Sequence, residues 1–120
     1  MGRDYRKIEA YQLANDLVLS IYKATKKFPK EELFGLTVQM RRAAISIPAN
    51  IAEGATRKSK REYLRFLYVA KGSMAELEFF ITISKSLGYL NDNDYQELER
   101  KRNKAGGKLY RLVVSVEKEI

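Results

Sequence analysis

The sequence contains neither cysteine nor histidine. The absence of cysteine excludes disulfide bonds and thiolate metal sites, and the absence of histidine removes the commonest metal ligand, general base and pH-sensitive side chain. Hydrolysis by two carboxylates needs a positioned pair in a cleft, and di-iron helical bundles need Glu-x-x-His motifs that this chain cannot supply. We therefore expect a protein that is not an enzyme and that uses no metal and no cofactor.

Long apolar runs are absent as well. No segment approaches the ~18 uninterrupted apolar residues of a membrane span, and the stretch MGRDYRKIEAYQ has no apolar run long enough for a signal peptide. We therefore expect a cytoplasmic protein without a membrane segment. The 120 residues, of which 45% are hydrophobic and 32% charged, suit one domain covering residues 1–120 with a single core.

Proline is scarce, with only Pro29 and Pro48, and apolar residues recur with a period near 3.6, which predicts helices rather than strands. The expected helices span about 7–28, about 33–54, 59–88 and 91 to nearly 120. Helices of about 20 residues joined by short connections should pack as an all-α, antiparallel, up-down-up-down four-helix bundle.

Local signals predict several helix ends. Ser59 and Glu62 form a capping box, Asn91 can cap the fourth helix, and Gly88 suits the left-handed conformation that follows a helix. The fourth helix is weakened by two glycines, each of which costs about 1 kcal/mol in a helix interior. Its expected core line is Tyr95, Leu98, Arg102, Ala105, Leu109, Leu112 and Val116.

The stretch RRAAISIPANIAEG, residues 41–54, places Pro48 inside a helical pattern. Proline removes one backbone hydrogen bond, here to the carbonyl of Ala44, and normally costs about 3 kcal/mol in a straight helix. We expect a bend that curls the second half of the helix around its neighbours. The alternative is that Pro48 ends the helix.

If the second and third helices form a hairpin that turns near Arg57, a residue k positions before the turn lies beside the residue k positions after it. One arginine of the pair Arg41 and Arg42 should then pair inward with Glu76 or Glu78 while the other faces solvent, because adjacent positions cannot point the same way. The alternative for these arginines is contact with nucleic acid. The rule predicts these neighbours: Ala43 and Ala44 beside 70–73, Arg41 and Arg42 near Ser73 and Glu76, and Glu53 near Arg61.

The third helix has more apolar residues than one core can bury. From Tyr63 to Leu87, 15 of 25 residues are apolar, against roughly 11 if three-sevenths faced a core. The first helix shows a similar excess. We therefore expect a homo-oligomer that buries the first and third helices between subunits, the alternative being a central helix in a larger monomer.

The formal net charge of +8 favours anionic partners, chiefly nucleic acid or the acidic headgroups of a membrane surface, although solubility alone is the alternative explanation. Further basic clusters lie at 23–30 and 100–111. Sequence motifs of the common RNA-binding folds are absent. The protein should therefore recognise the backbone and shape of a nucleic acid more than its base sequence. The residues predicted to bind nucleic acid are Arg42, Arg57, Lys58, Lys60, Arg61 and Arg65.

The segments FGLTVQMRRAAISIP, NIAEG and GSMAELE resemble the four-helix bundle proteins encoded in intervening sequences of bacterial 23S ribosomal RNA genes. The resemblance covers nearly the whole chain and implies a barrel-like homopentamer. The same fold occurs in the accessory protein of diversity-generating retroelements, which binds nucleic acid and a reverse transcriptase. Signature positions without an agreed role are Gln39, Arg41, Arg42, Ser46, Pro48, Asn50, Glu53, Gly54, Ser73 and Glu76.

The leading hypothesis is therefore a non-enzymatic, oligomeric protein that binds nucleic acid, RNA in the first place. The alternative is a protein adaptor whose surface recruits a nucleic-acid enzyme such as a reverse transcriptase. Neither the bound partner nor the biological role follows from the residues.

Overall fold

The computed structural model describes residues 3–120, and within these residues the chain is all-α, with four α-helices and no strand. The predicted class and helix number are confirmed. Short 3₁₀ turns at Tyr5–Lys7 and Lys30–Glu32 precede the first and second helices. The helices are α1 (Glu9–Thr25), α2 (Leu36–Ala55), α3 (Lys60–Ser86) and α4 (Asp92–Lys118).

Three of the predicted helix ends are confirmed by their hydrogen bonds. The hydroxyl of Ser59 accepts from the Glu62 backbone N–H at 3.1 Å, and the Asn91 side chain accepts from the Asp94 N–H at 2.7 Å. Gly88 adopts φ of 81°, the left-handed conformation that follows α3. The first helix is shorter than expected because Ile8 is extended and separates it from the preceding 3₁₀ turn.

Pro48 does not end α2, which continues to Ala55, so that alternative is wrong. The bend expected at Pro48 stays a prediction. Close to Pro48, Ser46 is hydrogen-bonded to two other side chains, and we call these three residues the polar link. The Asn50 amide donates to the Ser46 carbonyl at 2.7 Å, and the Ser73 hydroxyl of α3 donates to the Ser46 hydroxyl at 2.7 Å. These bonds satisfy polar groups at the half-buried seam between α2 and α3.

Each helix packs against two others: α2 contacts α1 and α3, and α4 contacts α1 and α3. Within residues 3–120, no Cα atom of α1 lies within 8 Å of one in α3, and no Cα atom of α2 lies within 8 Å of one in α4. The molecule measures 46 × 24 × 20 Å, so one long axis runs along the helices. The largest fully buried apolar side chains are Leu17, Ile21, Met40, Ile47, Ile51, Leu67, Leu77, Ile81 and Leu98.

The hairpin rule centred on Arg57 is wrong about the register of α2 against α3. Ser46 bonds to Ser73, and Gly54 lies against Phe66, whereas the rule would place positions 46 and 54 beside 68 and 60. The observed neighbours, 46 with 73 and 54 with 66, are centred on positions 59.5 and 60. The centre of the hairpin therefore falls about three residues after Arg57, and every predicted neighbour shifts along α3.

The predicted core line of α4 is confirmed at Leu98, Ala105, Leu109 and Val116, which are buried. Tyr95 and Leu112 are partly buried and pack against the core, and Val113, which the prediction omitted, is buried because a 3.6-residue helix drifts away from a strict seven-residue repeat. The two glycines at 106 and 107 lie inside a continuous helix.

Gly54 brings α2 close to α3, and a substitution there should destabilise the fold. A Cβ atom at position 54 would lie 2.7 Å from the Phe66 Cβ and 3.1 Å from the Tyr63 ring, so the helices would have to move apart. We expect Gly54→Ala to lower the free energy of unfolding by about 1–3 kcal/mol, measured by urea denaturation. The control is Gly107→Ala, where nothing lies within 4 Å. This control should raise stability by up to about 1 kcal/mol, and equal effects of the two variants would contradict the close contact.

Candidate nucleic-acid interface

Five of the six predicted nucleic-acid-binding residues lie together where α2 gives way to α3. We call this surface the basic turn; it comprises Arg57, Lys58, Lys60, Arg61 and Arg65. Arg61 and Arg65 are four residues apart on α3 and therefore share one face of the helix. Lys58, Arg61 and Arg65 are exposed and form no ion pair with any residue in 3–120.

Arg57 anchors the basic turn rather than extending freely from it. Its guanidinium Nη2 donates to the Glu53 carboxylate at 2.8 Å, and its centre lies 4.8 Å from the Phe66 ring centroid. The predicted pair of Glu53 with Arg61 is therefore wrong. Glu53 pairs with Arg57, which lies only four residues away and is already within reach. The Nε atom of Arg57 is buried and has no hydrogen-bond partner among the described residues.

Lys60 connects the basic turn to the carboxyl end of α4. Its Nζ lies 2.8 Å from the Glu119 carboxylate, and the hydrogen bond from Lys60 lowers the pKa of Glu119. Glu119 is therefore ionised at neutral pH and neutralises part of the positive charge at this pole of the molecule. A phosphate that binds Lys60 must compete with this carboxylate.

Arg3 joins the basic turn, although sequence reasoning missed it. Its guanidinium donates to the backbone carbonyls of Arg57 at 2.9 Å and of Ala55 at 3.4 Å, and lies 4.2 Å from the Tyr63 ring centroid. These carbonyls follow the last turn of α2, where cations are favoured by the helix dipole. The contacts span more than 50 positions in sequence, so no local pattern could have revealed them.

Arg42, the sixth predicted residue, lies apart from the basic turn. It is exposed on α2, 13 residues before the end of that helix at Ala55, which corresponds to about 20 Å along the axis. No residue within 3–120 forms an ion pair with it. Arg42 therefore belongs to a different surface from the other five residues.

Arg41 does not pair with Glu76 or Glu78, so that expectation is wrong. Its Nε donates to the Thr25 hydroxyl at 2.8 Å, and its guanidinium lies 4.4 Å from the Tyr22 ring centroid, both on α1. Arg41 lies on the face of α2 that packs against α1, and it therefore points away from the carboxylates of α3. Its neighbour Arg42 faces solvent, as predicted for one of the two arginines.

The basic cluster on α4 is largely neutralised. Arg102, only 11% exposed, pairs with Glu99 at 2.8 Å and Glu78 at 3.4 Å. The hydrogen bond to Glu99 raises the pKa of Arg102 further. Further pairs join α4 to α1: Lys101 with Asp16 and Lys108 with Glu9. These cations stabilise helix contacts and offer little charge to an external anion.

The remaining signature positions are distributed along α2 and α3. Gln39 and Glu76 are exposed, Asn50 and Ser73 are half-buried in the polar link, and Pro48 is buried. Across residues 3–120, no cluster of carboxylates is arranged to hold a metal ion. None of the helices in that same range is both long and apolar enough to cross a membrane.

A family model described as 23S rRNA-intervening sequence protein matches residues 6–111. A crystal structure from Bacteroides thetaiotaomicron, described as a protein with unknown function from the S23 ribosomal protein family, has the same fold with a TM-score of 0.79. The two chains are 19% identical over 87% of this chain and 94% of that one. No curated protein matches the sequence.

The contacts of Arg3 predict that it stabilises the fold. We expect Arg3→Ala to lower the free energy of unfolding by about 1 kcal/mol, because it removes two hydrogen bonds and the stacking on Tyr63. The matched control is Arg6→Ala, since Arg6 pairs only with the nearby Asp4 on the surface and should contribute almost nothing. Equal effects in urea denaturation would contradict the anchoring role.

Proposed function

The chain belongs to the 23S rRNA-intervening sequence protein family, and from this premise we propose that it is a non-enzymatic, oligomeric RNA-binding protein of the cytoplasm. The single observation that carries the proposal is the unpaired charge of the basic turn. Lys58, Arg61 and Arg65 have no carboxylate partner among the described residues, whereas the cations of α4 are mostly paired. Unpaired surface cations can bind phosphates without first breaking an internal ion pair.

The helix arrangement supports an up-down-up-down bundle. Along α1 and α4 the pairs join position 9 to 108, 16 to 101 and 27 to 94, so residue numbers fall on one helix as they rise on the other. The same order relates α3 to α4, where 60 pairs with 119 and 85 with 92. The basic turn and the carboxyl end of α4 consequently lie at one end of the long axis.

Exposed apolar side chains support self-association, and the family resemblance favours five copies. Leu19 on α1 and Phe79 on α3 are both more than half exposed, on two helices that are not neighbours in the bundle. Apolar surfaces on opposite helices of one subunit face different directions. A contact between neighbouring copies would therefore join two unlike surfaces, and repeated contacts of this kind close a ring when the rotation between copies permits it. A ring repeats the basic turn once per subunit and multiplies weak phosphate contacts.

A protein adaptor that recruits a nucleic-acid enzyme, such as a reverse transcriptase, is the second candidate function. Tyr110 on α4 favours it, because this aromatic side chain is 60% exposed and lies outside the basic turn. Partner capture that survives nuclease treatment and high salt would support the adaptor over RNA binding, since apolar contacts are not screened as phosphate contacts are.

Charge reversal of the basic turn should abolish RNA binding. For the native protein, engagement of ~4–6 phosphates predicts that log K falls with log salt at a slope of about −4 to −5. We expect the triple variant Lys58→Glu, Arg61→Glu and Arg65→Glu to lose binding to structured RNA at about 50 mM salt while retaining its helical circular dichroism. The measurement is fluorescence anisotropy with a labelled RNA hairpin.

The matched control for this test reverses Lys26, Lys104 and Arg111, which are exposed and make no ion pair in the described part of the chain. It changes the net charge by the same amount and should weaken binding far less. Absence of binding by the native protein at about 50 mM salt, or equal losses in both triple variants, would reject the proposal.

Removing the carboxylate that competes for Lys60 should strengthen RNA binding. Glu119 has a lowered pKa, so it stays charged at neutral pH and its protonation requires distinctly acidic solution. We expect Glu119→Gln to raise RNA affinity severalfold and to steepen the salt slope by about 0.9, the contribution of one additional phosphate contact. The control is Glu97→Gln, which frees Arg100 on α4 instead. A slope unchanged in Glu119→Gln would exclude Lys60 from the phosphate contacts.

A further inference from the structure

A groove between α1 and α2 holds an apolar cavity of about 340 Å³. Its walls include Tyr22, Phe34, Val38 and Ile45, with Arg41 and Arg42 at the rim. Phe34, in the connection before α2, is 90% exposed, and Ile45 is 43% exposed. A large phenylalanine held almost fully in water beside an open apolar cavity marks a surface that another molecule covers.

The charge at the rim of this groove defines its occupant. Its two rim arginines face no acidic residue in the cavity wall. Arg41 is already bound to Thr25 and Tyr22, whereas Arg42 forms no ion pair with residues 3–120. A complementary partner therefore presents an apolar side chain to the cavity and a carboxylate to Arg42.

The outer face of α3 carries that combination. Positions 69, 72, 76, 79, 83 and 87 are spaced by three and four residues and form one stripe along the helix. Phe79 is 61% exposed, and Glu76 is exposed without an ion pair among the described residues. A Cβ atom added at Gly72, one turn before Glu76, would meet nothing within 4 Å, so a second helix can approach the backbone closely there.

The groove and the stripe cannot meet within one subunit. The groove lies between α1 and α2, whereas the stripe lies on the outer face of α3, and in the described residues no Cα atom of α1 comes within 8 Å of one in α3. Arg42 and Glu76 are both unpaired in the described part of the subunit although they carry opposite charges. The stripe of a second copy supplies both an apolar side chain for the cavity and a carboxylate for Arg42.

We propose that Phe79 of one copy inserts into the groove between α1 and α2 of the next copy, where Glu76 pairs with Arg42. The proposal rests on the self-association put forward above and assigns its contact. Because the two surfaces differ, each copy uses its groove for one neighbour and its stripe for the other. Such a heterologous contact builds a closed ring when the rotation between copies permits closure.

A charge swap tests the pairing of Arg42 with Glu76. We expect Arg42→Glu and Glu76→Arg, each alone, to raise the concentration at which the assembly dissociates by at least about tenfold, because like charges then face each other. The double variant, with both changes in one chain, should recover most of the native assembly. Mass by light scattering and sedimentation gives the result, and circular dichroism verifies that each variant is folded. Lys104→Glu, an exposed reversal on α4, is the matched control and should assemble normally.

Cross-linking between two variants tests the position of Phe79 independently of charge. The native chain has no cysteine, so single cysteines can be placed at will. We expect a mixture of Ile45→Cys and Phe79→Cys proteins to form disulfide-linked dimers under mild oxidation, whereas neither protein alone does so. Links formed by the Ile45→Cys protein alone would mean that grooves face each other and would overturn the proposal.

The outcomes separate this inference from the proposed function. Native protein that stays monomeric at tens of micromolar overturns both the self-association and the groove contact. An oligomer that is insensitive to the charge reversals and yields no mixed cross-link overturns the groove contact alone. Loss of RNA binding in the basic-turn variants tests the RNA proposal separately, because those residues lie outside the groove and the stripe.

Discussion

The close contact between α2 and α3 determines where the basic turn and the exposed face of α3 lie. Small residues make it possible: Gly54 has no side chain to separate the helices, and the hydroxyls of Ser46 and Ser73 meet at 2.7 Å. The connection between the two helices is four residues long, and the cations of the basic turn lie in it and in the first turns of α3, at one end of the molecule. The same contact turns the outer face of α3 away from α1 and leaves the stripe around Phe79 exposed.

Ion pairing decides where the surplus positive charge is available. The net charge of +8 is spread along the sequence, but the cations of α4 are directed at carboxylates of α1, α3 and α4 itself. Each of these surface ion pairs contributes only about 0–1 kcal/mol to the free energy of unfolding. Their main effect is to neutralise positive charge that an external anion could otherwise bind. Unpaired cations remain at several places on the surface, and three of them, Lys58, Arg61 and Arg65, lie within eight positions of one another at the basic turn.

Local signals were sufficient to predict the helices, and long-range geometry was not predictable from them. The caps at Ser59 and Asn91 and the left-handed Gly88 were correct because each depends on a few neighbouring residues. The register of α2 against α3 is seen only in contacts between the helices, such as Ser46 with Ser73 and Gly54 with Phe66, and apolar periodicity within each helix carries no information about that offset. The contact of Arg3 with the Arg57 carbonyl was missed because its partners lie 54 positions apart.

The two proposed surfaces lie at different ends of α2, and this separation has a physical consequence. The groove is lined by residues up to Ile45, whereas the basic turn begins after Ala55, about 15 Å further along α2. The two contacts also respond differently to salt. Phosphate contacts weaken steeply as counterions accumulate, but burial of Phe79 in an apolar cavity is not screened. Under the two proposals, assembly should therefore persist at salt concentrations that release RNA.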